Sequence, residues 1–151
     1  MAIEIEYKFL VDREKWSALS KPEGSLIVQA YIHNSKEVTV RVRIKGTSAY
    51  LTIKGQTIGV SRSEFEYEIP ISDAEEMIEQ FSTKHIRKYR YEISMGKHTW
   101  EVDVFEGKLE GLILAEIELN AEDEVFEKPD WITEEVSTDE SYYNAVLIEK
   151  C

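Results

Sequence analysis

Apolar and polar residues alternate with a period of two through most of the chain. In the opening stretch IEIEYKFL (Ile3 to Leu10), Ile3, Ile5, Tyr7 and Phe9 fall on one face, and Glu4, Glu6 and Lys8 on the other. A β-strand turns successive side chains to opposite faces, so this pattern predicts a strand with one apolar and one charged side. Seven further segments predict strands: Ser25 to His33, Glu37 to Lys45, Ala49 to Lys54, Ser61 to Ile71, Lys84 to Ser94, His98 to Phe105 and Leu112 to Leu119. Helical spacing replaces alternation in a few places. Asp12 is placed to cap a short helix through Trp16 and Leu19, ending near Pro22 and Gly24. Ser72 or Asp73 is placed to cap a second through Ala74, Met77, Ile78 and Phe81. In the tail, Glu122 to Lys128 and Tyr142 to Lys150 read as helical.

A sheet with one dry and one wet face produces alternation anywhere. Here, however, the charges are sorted by sign. Acids sit on the first, fifth, seventh and eighth strands, among them Glu64, Glu66, Asp103, Glu116 and Glu118; bases sit on the third, fourth and sixth, as Arg41, Arg43, Lys54, Lys88 and Arg90. Opposite charges across strands help and like charges hurt, so wet surface strands ordinarily mix signs.

Eight strands are about enough to close a barrel that holds one small ligand. With the apolar faces outward, the helical segments have something to cover. The expected fold is therefore α+β, mainly antiparallel β: an eight-stranded closed tunnel with a charged interior and helices packed outside. Ile3, Ile5 and Phe9 are then expected to pack outward under a helix. A charged interior is costly when dry and unpaired. It becomes sensible if cations neutralise the acids and an anion neutralises the bases. Arginine forks and lysine point charges suit a chain of phosphoryl groups. Aspartate and glutamate oxygens without His or Cys partners suit hard ions such as Mg²⁺ or Mn²⁺. Metal-assisted phosphoanhydride cleavage follows as the expected chemistry.

Composition narrows the rest. The 151 residues carry a formal charge of −12, which argues against a nucleic-acid coat or an anionic membrane surface as partner but not against a small polyanion in a basic cleft. No apolar run approaches the roughly 20 residues of a membrane span, and acids interrupt the N-terminus where a signal segment would be apolar. A cytoplasmic location is the expectation. Cys151 is the only cysteine, and His33, His85 and His98 lack zinc-ligand spacing. One domain over residues 1–151 is expected, and a twofold dimer is the default assembly.

The segments EIEYK, RVRIK, YLTIK, SRSEFEYEI, KYRY, EVDVF and AEIEL, in that order, resemble the CYTH superfamily, the triphosphate tunnel metalloenzymes. The resemblance runs from Ile3 to Leu119 and weakly into the tail, where YYN near Asn144 looks like the family's closing helix. It implies an eight-stranded tunnel and a metal-dependent triphosphatase. By that resemblance Glu4, Glu6, Glu64, Glu66, Asp103, Glu116 and Glu118 would serve the metal, with Mg²⁺ or Mn²⁺ as cofactor. Lys8, Arg41, Arg43, Lys54, Lys88 and Arg90 would grip the triphosphate, and the catalytic group would be Glu4, Glu6, Lys8, Asp103, Glu116 and Glu118. Lys45 and Glu68, at strand ends, read as solvated. Relatives often carry a basic residue where this chain has Ser141, so a tail contribution to phosphate binding is not expected. The same superfamily includes class IV adenylate cyclases and thiamine triphosphatases, and a non-catalytic polyphosphate-binding module would use the same charges. The terse N-terminus without a base-recognising insertion favours inorganic triphosphate.

Overall fold

Each alternating segment forms a strand in the computed structural model, which describes residues 3–151. The strands are β1 (Ile3–Val11), β2 (Ser25–Asn34), β3 (Val38–Lys45), β4 (Ser48–Gly55), β5 (Ser61–Ile69), β6 (Ile86–Met95), β7 (His98–Phe105), β8 (Ile113–Glu118) and a short β9 (Ile132–Glu135). Every neighbour pair is antiparallel, in the order β5-β4-β3-β2-β6-β7-β8-β1-β9. A further pairing of β5 with β1 closes the first eight into a barrel. Lys45 pairs with Ser48 and Met95 with His98 across two-residue hairpins, where Gly46 (φ 59°) and Gly96 (φ 62°) take the left-handed conformation that such turns demand.

Asp12 caps α1 (Arg13–Ala18), its side chain accepting from the Lys15 amide. The second helix, α2 (Ile71–Phe81), begins earlier than a Ser72 or Asp73 cap would allow. Pro70 ends the β5 ladder, having no N–H to give, and its carbonyl accepts the first helical bond from Ala74. The tail departs further from expectation. Glu122 to Lys128 is irregular, because its polar groups are spent elsewhere: the Glu122 carbonyl accepts from Tyr7 Oη and the Glu124 carboxylate accepts from the Asn120 amide. Phe126 can then insert among Tyr7, Phe9 and Trp100. The four residues of β9 are too few to show an alternation, yet they extend the β1 edge at Phe9↔Glu135 and Val11↔Ile132. Helical structure near the C-terminus is limited to α3 (Asn144–Leu147) between 3-10 turns.

The core divides into three clusters. One packs outside β1, β7 and β8, where Phe9, Trp100 and Ile117 lie under Trp16 of α1 and Trp131 of the tail. A second joins Val42 and Ala49 to Ala74 of α2. These two are the expected inversion, apolar residues facing outward beneath helices. Ile3 departs from it at 53% exposure, with Ile5 half-buried. The third cluster was not expected. Cross-strand partners share a face, and Lys88 pairs with Phe105, Asp103 with Leu114, and Leu114 with Leu10. Phe105, Leu114 and Leu10 therefore point inward, on the same side as the charges. They meet Val136, Leu147 and Ile148 of the tail in one buried group. The tunnel is charged along part of its length, and the tail fills the other part with an apolar plug. Leu147→Ala should cost about 2–5 kcal/mol, because the plug cannot collapse around the void; urea unfolding measures it. Among the described residues no helix is long and apolar enough to cross a membrane.

Candidate active site

The charged part of the interior encloses a cavity of about 300 Å³. Glu4, Glu6 and Lys8 reach it from β1, Arg41 and Arg43 from β3, Lys54 from β4, Glu64 and Glu66 from β5, Arg90 from β6, and Glu116 and Glu118 from β8. The register explains why they meet. Glu6 lies opposite Glu118, Lys8 opposite Glu116, and Lys54 opposite Glu64, so the charged face of each strand turns to the same space. Two residues expected at the site lie behind its wall instead. Asp103 and Lys88 are fully buried, are absent from the cavity lining and are 2.7 Å apart. Both Asp103 oxygens also accept from Arg90, at 2.8 and 2.9 Å. Lys88 further donates to Asn144 Oδ1 at 3.0 Å. Burial pulls the Lys88 amine down to about 7. Burial would push the Asp103 carboxyl up, but Arg90 and Lys88 outweigh it and hold it far below the usual carboxylate range.

Several lining residues were missed. Arg62 follows the same period of two as Glu64 and Glu66, and that periodicity could have found it among the acids of its strand. Lys45, read as solvated, lines the cavity while pairing with Glu92 at 3.2 Å. Ser137, Tyr143 and Asn144 come from the tail. Only tertiary contacts place them. Lys8 donates its backbone amide to Ser137 Oγ and its ammonium to the Tyr142 carbonyl, at 2.9 and 3.1 Å. Gln29 donates to Asn144 Oδ1 at 3.1 Å and accepts from Arg43 Nε at 2.8 Å.

Most charges in the cavity neutralise one another. Lys54 bridges Glu4 and Glu64, at 3.1 and 3.0 Å, and Arg62 also holds Glu4. Burial would raise the Glu4 carboxyl, yet these cations bring it down to about 2. Arg41 lies 3.8 Å from Glu66. Three features remain uncompensated. Among the described residues, Lys8 and Arg43 make no ion pair. Burial and the neighbouring Arg41 and Arg90 pull the Arg43 pKa down, though a guanidinium remains charged at neutral pH. Arg41 Nε is buried without a hydrogen-bond partner. Buried donors of this kind are rare and mark places where an acceptor fits.

The acids show the complementary need. Burial and Glu116 push the Glu6 carboxyl well above its usual range. Burial alone would do the same to Glu116, but Lys8, the hydrogen bond with Glu6 and Arg90 hold it well below. The crowding of the two carboxyl groups thus drives them in opposite directions, Glu6 up and Glu116 down. Burial, with Glu4 and Glu64 nearby, also raises Glu118. Crowded carboxylates that repel one another fit a divalent cation, which takes oxygen ligands. Among the described residues no three acidic, His or Cys side chains yet converge on one point. Glu6, Glu116 and Glu118 would hold such a cation, with Glu4 joining them on leaving Lys54 and Arg62.

Comparisons with known proteins place the chain in a family. The CYTH domain matches residues 2–145. The chain is similar to an inorganic triphosphatase of Acetivibrio thermocellus, 47% identical over 150 residues that cover 99% of this chain and 95% of that one. A second inorganic triphosphatase, from Nitrosomonas europaea, is 33% identical and covers 95% of each chain. A crystal structure of an inorganic triphosphatase superposes with a TM-score of 0.67 at 30% identity, over 98% of this chain and 95% of that one. At 18% identity and a TM-score of 0.63, a putative adenylate cyclase of Bacillus halodurans, covering 81% of this chain and 84% of its own, shares the fold alone. The eight-stranded closure, the inward charges and the matched span lead to one assignment: the chain belongs to the CYTH family.

Proposed function

We propose that the chain hydrolyses the phosphoanhydride bonds of inorganic triphosphate with a hard divalent cation, Mg²⁺ or Mn²⁺, as cofactor. The observation that carries this reading is that one cavity is lined both by cationic donors without a contacting carboxylate among the described residues, Lys8, Arg43 and Arg41 Nε, and by the crowded acids Glu6, Glu116 and Glu118. The relatives named inorganic triphosphatase, at 47% and 33% identity, support it. A cavity of about 300 Å³ suits a compact anion and leaves little room for a nucleoside as well, since small-molecule pockets run from about 300 to 1,000 Å³.

Lys8, Arg41 and Arg43 bind and orient the phosphoryl chain. They do so as fixed charges in a site of low dielectric, where preorganised donors stabilise developing charge without reorganising. Arg90 is locked in place behind them by Asp103, on a bidentate pair that fixes its plane. Glu6, Glu116 and Glu118 would hold the cation, which would supply Lewis-acid charge stabilisation and a more acidic water. Tyr143, over whose ring Lys8 Nζ lies at 5.7 Å, walls that ammonium off on the tail side.

The pure protein should release orthophosphate from inorganic triphosphate with Mg²⁺ or Mn²⁺ and stop when chelator is added, measured alongside ATP and thiamine triphosphate with every product identified. Cyclic AMP as the main product from ATP would overturn the reading. Tight binding of triphosphate without turnover would replace it with a polyphosphate-binding module.

A further inference from the structure

Arg62 stands at the seam of the barrel. Among the described residues β5 closes onto β1 through three ladder partners, Ile3↔Ser63, Glu4↔Arg62 and Ile5↔Ser61, with the Glu6 amide donating to the Val60 carbonyl beside them. Across this seam Arg62 Nε donates to Glu4 Oε1 at 3.3 Å. Lys54 Nζ donates to the same carboxylate at 3.1 and 3.2 Å. The Glu4 side chain is 8% exposed, so two cations hold a carboxylate that is almost out of water. The terminal nitrogens of Arg62 make no hydrogen bond among the described residues, and the side chain lines the cavity.

Two opposing demands meet at Glu4. A carboxylate already holding an ammonium and a guanidinium is a poor ligand for a divalent cation, because both positive groups repel the newcomer at close range. In the same way, Lys54 and Arg62 are poor phosphate ligands while Glu4 holds them. One exchange removes both obstacles. A divalent cation on Glu4 displaces the two basic groups, and an anion arriving beside the cation receives them. The forked guanidinium of Arg62, with its terminal donors free, matches phosphate oxygens two at a time.

We propose that Arg62 is a further substrate-binding residue of this site. It donates to Glu4 across the seam and passes to a phosphate oxygen when a divalent cation takes Glu4. Cation and triphosphate binding are thereby positively coupled. The inference builds on the proposed function. It differs from a purely structural role, in which Arg62 would only staple the seam and its loss would weaken folding and both ligands alike.

The test is calorimetric titration of the full chain with Mn²⁺, alone and in the presence of an imido-bridged triphosphate analogue that cannot be hydrolysed. Chelation of Mn²⁺ by the analogue in solution is measured without protein and corrected for, and it is the same for the wild type and the variants, so it cancels when their coupling factors are compared. In the wild type the analogue should tighten Mn²⁺ binding by about tenfold, and Mn²⁺ should tighten the analogue by the same factor, since such coupling is reciprocal. In Arg62→Gln, Mn²⁺ alone should bind more tightly than in the wild type, and the coupling factor should fall toward one. Arg62→Lys, which keeps the charge without the fork, should lie between. Unchanged coupling in both variants overturns the assignment, as does weaker Mn²⁺ binding in Arg62→Gln that parallels a lowered melting temperature. If Arg62→Gln does not fold, Arg62→Lys decides: reduced coupling supports the assignment and unchanged coupling overturns it. A wild type that binds no analogue overturns the proposed function itself, and Arg62 with it. A wild type that binds and couples while the variants match it overturns Arg62 alone.

Discussion

Glu116→Gln is expected to lower triphosphate hydrolysis by at least about a hundredfold while leaving the barrel folded, on the scale found when a preorganised charge at a reacting centre is removed. The glutamine side chain matches glutamate in size, so the position on β8 between Lys8 and Glu101 keeps its packing. Its charge is what changes. Glu116 now answers Lys8 and Arg90, the latter at 3.7 Å. An amide can accept one hydrogen bond from these neighbours but brings no negative charge to a divalent cation. The expected signature is a large fall in kcat/KM for triphosphate, a weakened response to Mg²⁺ or Mn²⁺, and a thermal melt close to that of the wild type. Wild-type turnover in this variant would remove Glu116 from the reacting centre.

Asp103→Asn is expected to fail differently, through stability. The carboxylate is fully buried between Lys88 at 2.7 Å and the fork of Arg90. Removing its charge takes from Lys88 its only ion pair among the described residues and leaves Arg90 to Glu101 at 3.2 Å and the more distant Glu116. Breaking a buried ion pair by deleting one partner costs about 3–5 kcal/mol. In a domain of this size that corresponds to a melting temperature lower by roughly 10 °C. Asp103 matches an acidic position near the metal in the resemblance drawn from the sequence, so the variant separates two roles. If Asp103 only anchors Lys88 and Arg90, the folded fraction at low temperature should bind Mn²⁺ as the wild type does. A loss of Mn²⁺ affinity of tenfold or so, at unchanged stability, would make Asp103 a ligand instead.

These contrasting expectations for two acids of similar pattern mark where sequence reasoning stops. Glu116 and Asp103 both alternate with apolar neighbours, on adjacent strands, and period two places both on the inner face. Periodicity reports the face of a strand, not the depth along the barrel. Asp103 pairs across the ladder with Leu114, one step further toward the plugged end than Glu116, and there the tail fills the space that would otherwise be cavity. Lys88 is withdrawn for the same reason, its ammonium engaged by Asp103 and Asn144.

Local chemistry was enough for eight strands, two helices and the common face of Glu4, Glu6, Lys8, Arg41, Arg43, Lys54 and Glu116, because strand faces and helix starts depend on residues two to four positions apart; that this face turns inward followed from the sorting of charge over eight strands. Tertiary structure decided the rest. It placed β9 on the β1 edge, kept Glu122 to Lys128 from helix, drove the tail into one end of the barrel, and set Arg62 against Glu4 across a three-residue seam. Each of these joins residues far apart in the chain, as Lys8 and Ser137 are or Glu4 and Arg62, and no periodicity spans such distances. What brings them together is burial of apolar area and satisfaction of buried charge, and both are properties of the folded whole.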